Sequence, residues 1–88
     1  MKTKKVVAYT DPQHGWAKVK RSELKALNIE EKISVYSYQR GDFVYLEEDG
    51  DLGTYIAAQR EAGVEVQFNS KHSNKSSKIR SYDCFRVM

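Results

Sequence analysis

Residues 71 to 82, Lys-His-Ser-Asn-Lys-Ser-Ser-Lys-Ile-Arg-Ser-Tyr, set cations among small hydroxyl and amide side chains. Lys71, Lys75, Lys78 and Arg80 can neutralise phosphates, while the Ser, Asn and backbone N–H groups between them can donate to phosphate oxygens. Tyr82 can stack on a base. A second basic cluster, Lys18, Lys20 and Arg21, would add to this surface if the two segments fall on one face. The same composition also describes a solvated loop kept in water by Lys and Ser, and the sequence leaves both readings open.

The opposite charge gathers at Glu47-Glu48-Asp49-Gly50-Asp51. Carboxylates suit a hard cation, but the spacing is not that of an EF-hand loop and no Glu closes it at the twelfth position. A strand end, a Gly turn and a helix start account for these acids, which favour the positive end of a helix dipole. Glu47, Glu48 and Asp49 can also form a contact edge for a basic partner, and Tyr36, Tyr38 and Tyr45 either line one face of the second hairpin as an aromatic platform or pack as core against the helices. Arg40-Gly41-Asp42 reads as a hairpin turn rather than an adhesion signal. His14, His72 and Cys84 lie far apart without paired metal-ligand spacing, so no metal or cofactor is expected. Neither a nucleophile elbow nor a Gly-rich phosphate loop is present, and no catalytic residue is nominated. The chain is expected to bind rather than to catalyse.

Eighty-eight residues bound the chain to one domain, 1–88, with one modest core. The hydrophobic fraction of 40%, with six Tyr, is enough to fold. The net charge of +3 is mild, but its polarity along the chain can steer a charged partner. A single cysteine excludes an intramolecular disulfide and favours a reducing, cytoplasmic setting. Val6-Val7-Ala8 is too short for a signal-peptide core, and no apolar run is long enough to span a bilayer, so no membrane association is expected.

Hairpins and short helices must position these residues. Lys4 to Thr10 and Trp16 to Lys20 read as strands around the turn Asp11-Pro12-Gln13-His14-Gly15. In the second strand Trp16, Lys18 and Lys20 share one face, and Ala17 and Val19 the other. Ser22 is the expected N-cap of a short helix carrying Leu24 and Leu27, with Asn28 as its left-handed stop and Ile29 packing back. Ile33 to Tyr38 alternates as a strand and pairs across Gln39-Arg40-Gly41-Asp42 with Phe43 to Leu46. Asp51 is the expected N-cap of a second helix bearing Leu52, Tyr55, Ile56, Gln59 and Ala62, which Gly63 stops. Val64, Val66 and Phe68 alternate in a further strand. Residues 69–78 form a polar, basic loop or arm, and Ile79 to Val87 holds residues for a last strand. The expectation is an α+β fold, an antiparallel sheet built from hairpins with two short helices in the order ββαββαβ, with room for a final β.

The stretch from Gly15 to Ile29, followed by a hairpin ending in Val44-Tyr45-Leu46, resembles the AbrB-like swapped-hairpin regulators, which are dimeric DNA-binding proteins. It departs from them at Val19-Lys20 and Asn28, where that family carries Ile-Pro and Gly. Three motifs, His14-Gly15-Trp16, Tyr45-Leu46-Glu47-Glu48-Asp49 and Ser77-Lys78-Ile79-Arg80-Ser81-Tyr82, are also similar to small proteins of phages and plasmids. That resemblance implies a mobile-element accessory role, in the host cytoplasm if phage-encoded; the sequence leaves monomer and homodimer both open. The expected partner is nucleic acid or a nucleoprotein, met by the basic segments. The alternative is a host enzyme or defence complex, inhibited or recruited through the acidic edge and Tyr face.

Overall fold

The structure, a computed structural model, describes residues 2–87. Two strands, β1 (Lys2–Thr10) and β2 (Gly15–Lys20), form an antiparallel hairpin with Tyr9 opposite Trp16. Its turn is tied by Asp11, whose Oδ1 accepts the N–H groups of Gln13 and His14 at 3.0 and 2.9 Å. This is the local Asx bonding that places Asp in turns.

Strand β2 runs directly into α1 (Arg21–Ala26). The N-cap is Lys20 rather than Ser22. Strand pairing holds Lys20 opposite Phe43, and Arg21 N donates to Asp42 O at 2.8 Å, so the helix starts where the ladder releases the chain. The stop is as its sequence suggests. Asn28 takes φ 58°, its N–H reaches Lys25 O, and Ile29 N reaches Leu24 O at 2.9 Å. That bond pair is a Schellman motif, and it turns Ile29 into the core.

The expected strand from Ile33 does not form. A 3-10 turn over Glu30–Lys32 leads to an irregular segment, and β3 spans only Tyr38–Arg40. The cause is Asp51. Its carboxylate accepts Ser34 N at 3.0 and 3.1 Å, Ser34 Oγ at 2.7 Å and Ser37 Oγ at 2.6 Å, curling the chain inward. Val35 and Tyr36 are left exposed at the bend. Strand β4 (Phe43–Glu47) pairs with β3 across a tight turn in which Gly41 takes φ 57°, a value costly for a residue with a Cβ.

Asp51 is therefore the first residue of α2 (Asp51–Glu61), not its cap, and Gly50 holds the N-cap position. Gly63, at φ 78°, ends the helix and releases β5 (Val64–His72). Strand β5 pairs with β1 in parallel, Val6 beside Phe68 and Tyr9 beside Lys71. The sheet is thus mixed rather than wholly antiparallel. The pairing continues through Asn69–His72, so the first part of the polar segment is strand and not loop. A 3-10 turn over Lys78–Ser81 and β6 (Asp83–Cys84) follow, giving the strand order β5-β1-β2-β4-β3-β6.

One sheet face carries Val6, Ala17, Val19, Val44 and Leu46 under Leu24, Ile29, Tyr55 and Phe85. Tyr55 is fully buried. Its hydroxyl donates to Glu23 Oε2 at 2.7 Å and accepts from Gln59 Nε2 at 3.0 Å, and burial pushes its titration upward. Among the described residues no helix is long and apolar enough to cross a membrane.

The Asp51 carboxylate gives a stability test. Asp51→Ala takes the acceptor from Ser34 N and from the hydroxyl proton of the fully buried Ser37, whose Oγ keeps the Glu47 N–H at 3.0 Å. It should cost about 1–3 kcal/mol, seen as a lower urea midpoint with an unchanged slope.

Candidate nucleic-acid interface

The opposite face of the sheet is aromatic. Trp16, Tyr45 and Ile79 form a second buried cluster, flanked by Tyr9, Tyr38, Phe43 and Tyr82. Alternation puts cations among these rings. Lys18 lies opposite Tyr45, and Lys20 and Arg40 both lie opposite Phe43. Lys18 Nζ sits 4.1 Å above the Phe43 ring, and the Arg40 guanidinium 5.0 Å from the Tyr82 ring. Such contacts hold a cation over an apolar floor while leaving it able to meet an anion.

The chain from Ser77 to Tyr82 crosses this face and is fastened by one carboxylate. Asp11 Oδ2 accepts Arg80 Nε at 2.8 Å and Ser77 N at 3.0 Å; Oδ1 accepts Arg80 Nη2 at 3.0 Å. The Arg80 guanidinium, followed by the Ser77 N–H, holds the Asp11 carboxyl well below the usual carboxylate range. Arg80 also lies 5.5 Å from the Trp16 ring, and Ile79 is driven into the cluster at 3% exposure.

Between the fastened segment and the β3–β4 turn lies a cleft of ≈ 500 Å³. Its floor is Tyr9, Phe43, Tyr45 and Tyr82, and its cations are Lys18, Arg40 and Lys78, with Asp42 the acid in the lining. Tyr45 and Tyr82 rings stand 5.2 Å apart, and Tyr9 and Tyr45 rings 6.3 Å. Burial, then the Tyr82 and Tyr9 phenols, raises the Tyr45 phenol above its ordinary titration range.

The expected basic residues therefore divide. Lys18, Lys78 and Tyr82 meet in this cleft. Lys20 is exposed on the same sheet face and lines a neighbouring hollow with Lys25. Arg21 is turned inward at 9% exposure. It donates to Glu30 Oε2 at 2.8 Å, to Arg86 O at 2.9 Å and to Gln39 Oε1, so its charge is largely committed inside the protein although it borders the Lys20–Lys25 hollow. Arg80 is paired with Asp11 and braces the segment, with its side chain 31% exposed. Lys71 and Lys75 are exposed on β5 and on the following turn, outside the cleft. Arg40 and Tyr9 belong to the cleft, although the sequence marked Arg40 only as a turn residue. Its place two residues after Tyr38 in the same strand carried the signal.

The acidic set converges more fully. Glu47, Glu48, Asp49, Tyr36 and Tyr38 all line a second cleft of ≈ 460 Å³, together with Trp16 and His14. Trp16 stands edge-on to Tyr38 at 6.2 Å, and the His14 ring lies tilted beside Trp16 at 6.1 Å. Glu47 has an internal task, accepting Asp49 N at 2.7 Å and Asp51 N at 2.9 Å, whereas Glu48 and Asp49 are exposed. His72 bonds Thr10 Oγ1 through Nδ1 at 2.8 Å, and Cys84 is exposed in β6 opposite Tyr38. Among the described residues no group of three His, Cys, Asp or Glu side chains could hold a metal ion.

Comparison with known protein families, curated proteins and solved structures finds no match to this chain.

The Asp11 fastening predicts a pH signature. Because Asp11 titrates far below its ordinary 3.8, its stabilisation is complete above that value and declines as the pH falls below it. In Asp11→Asn that acid-side loss should disappear, and amides of residues 77–82 should exchange faster at neutral pH than in the wild type. Hydrogen exchange read by mass spectrometry checks both.

Proposed function

We propose that the protein binds single-stranded nucleic acid, without catalysis, in the cleft between the aromatic sheet face and the Ser77–Tyr82 segment. The observation that carries this reading is the convergence of Lys18, Arg40 and Lys78 on a floor of Tyr9, Phe43 and Tyr82. Every base has a π-face, so partly exposed rings accept bases with little regard to sequence, and cations at the rim take the phosphates. A duplex hides its base faces and would leave the rings unused, which favours a single strand. The likeness of three motifs to small phage and plasmid proteins supports an accessory role in a host cytoplasm, on nucleic acid or a nucleoprotein.

The test is a fluorescence-anisotropy titration with mixed-sequence single-stranded DNA and RNA, and a duplex control, at low and moderate salt. Contact by three cations should give a log–log salt slope of about −2. Tyr82→Ala should weaken binding by about 1–3 kcal/mol. Absence of binding to either single strand at low salt overturns the reading.

A second reading rests on the acidic cleft. Its five converging residues support a protein-directed inhibitor or adaptor that takes a basic segment of a host enzyme or defence complex. Capture from host lysate would then fall sharply in Glu48→Gln/Asp49→Asn, which leaves the Glu47 bonds intact. A partner captured equally well by both proteins rules the acidic cleft out as its contact.

A further inference from the structure

The two edges of the sheet are unlike. At one edge β6 is two residues long and bears Asp83, which blunts pairing. At the other, β5 runs nine residues with β1 on one side and, among the described residues, no strand on the other. It contains no Pro, and residues 67 to 72 are all exposed. A long, regular, uncovered edge offers its N–H and C=O groups to another strand.

The side chains of this edge complement themselves. Pairing β5 antiparallel to a second β5 over its full length, Val64 opposite His72, puts the twofold axis at Phe68. In that register Glu65 meets Lys71 of the second copy, and Lys71 meets its Glu65. Gln67 meets Asn69, matching amide to amide. These residues share the sheet face that carries Tyr9, since Lys71 lies beside Tyr9. On the helix-bearing face Phe68, 43% exposed beside Val6, meets its own copy. Neither Glu65 nor Lys71 has an ion-pair partner among the described residues.

We propose that the protein forms a twofold dimer by antiparallel β5–β5 pairing centred on Phe68, with two reciprocal Glu65–Lys71 pairs fixing the register. The occupant of this edge is a second copy of the chain, because opposite charges and like amides fall in place only when the strand meets itself. Two six-stranded sheets become one continuous sheet. Both aromatic–basic clefts then open on the same side of it. The dimer is independent of what those clefts bind.

Sedimentation velocity across a micromolar concentration series tests this with the wild type, Glu65→Lys, Lys71→Glu, the double exchange, and an equimolar mixture of the single variants. The wild type should dimerise with rising concentration. Each single variant opposes like charges twice and should weaken the dimer about tenfold. The double exchange restores both pairs, and the mixture restores them in a heterodimer, which separates lost pairing from lost folding. Backbone amides of residues 64–72 in the wild type should gain exchange protection as concentration rises. A wild type that stays monomeric throughout, a dimer indifferent to Glu65→Lys, or a mixture no tighter than its components overturns the proposal.

Discussion

The carboxylate of Asp11 is the point on which the aromatic face of the sheet depends. Its side chain is fully withdrawn from water, and a bare charge in such a place is very costly. It is tolerated because five donors converge on it: the Gln13, His14 and Ser77 N–H groups and two nitrogens of Arg80. Two of these belong to its own turn and three to a segment more than sixty residues away. The same group therefore shapes the first hairpin and decides where the C-terminal segment lies. Without it the burial of Ile79 over Trp16 and Tyr45 would remain, but the segment would lose the three bonds that fasten it to the first hairpin. With it the face becomes a walled cleft.

A second carboxylate does comparable work at the other end of the fold. Asp51 bends the 34–37 segment against the start of α2, and Glu47 closes the same corner through the Asp49 and Asp51 N–H groups. Acids close together in sequence thus have separate roles. Asp51 and Glu47 build the corner, Glu48 and Asp49 remain at its rim, and Asp42 lies in the basic cleft. A small domain buries too little apolar surface to be indifferent to such bonds. Its few polar anchors decide where loops go.

Much of the local structure was legible in the sequence, because local rules govern it. Alternation in residues 16 to 20 assigned Trp16 and Lys18 to one face and Val19 to the other. Asn28 and Gly63 ended their helices as their backbone freedom suggests. The Ile33–Tyr38 alternation misled, since Ser34 and Ser37 have a stronger partner in Asp51 than in a neighbouring strand. The parallel β1–β5 pairing was missed because hairpin reasoning joins sequence neighbours. A strand that follows a helix can instead return parallel, across two intervening strands. The site divided along the same line. The convergence of Glu47 to Asp49 with Tyr36 and Tyr38 follows from one corner of the chain. The loss of Arg21 and Arg80 to internal acids depends on Glu30 and Asp11, and periodicity carries no sign of either pairing.

The charge polarity of the chain acquires a spatial meaning through this packing. Trp16, Tyr45 and Ile79 form one cluster, yet Trp16 lines the acidic cleft while Tyr45 and Ile79 line the basic one. Two pockets of opposite sign therefore share one aromatic ridge on a single face. Charges held over low-dielectric walls focus their fields, so the two pockets present potentials of opposite sign on this face. A nucleic acid approaching this face is drawn to Lys18, Arg40 and Lys78 and repelled by Glu48 and Asp49. A basic protein segment meets the reverse. Under the proposed function, a nucleoprotein, which presents both signs side by side, is the class of partner whose charges match the two pockets together.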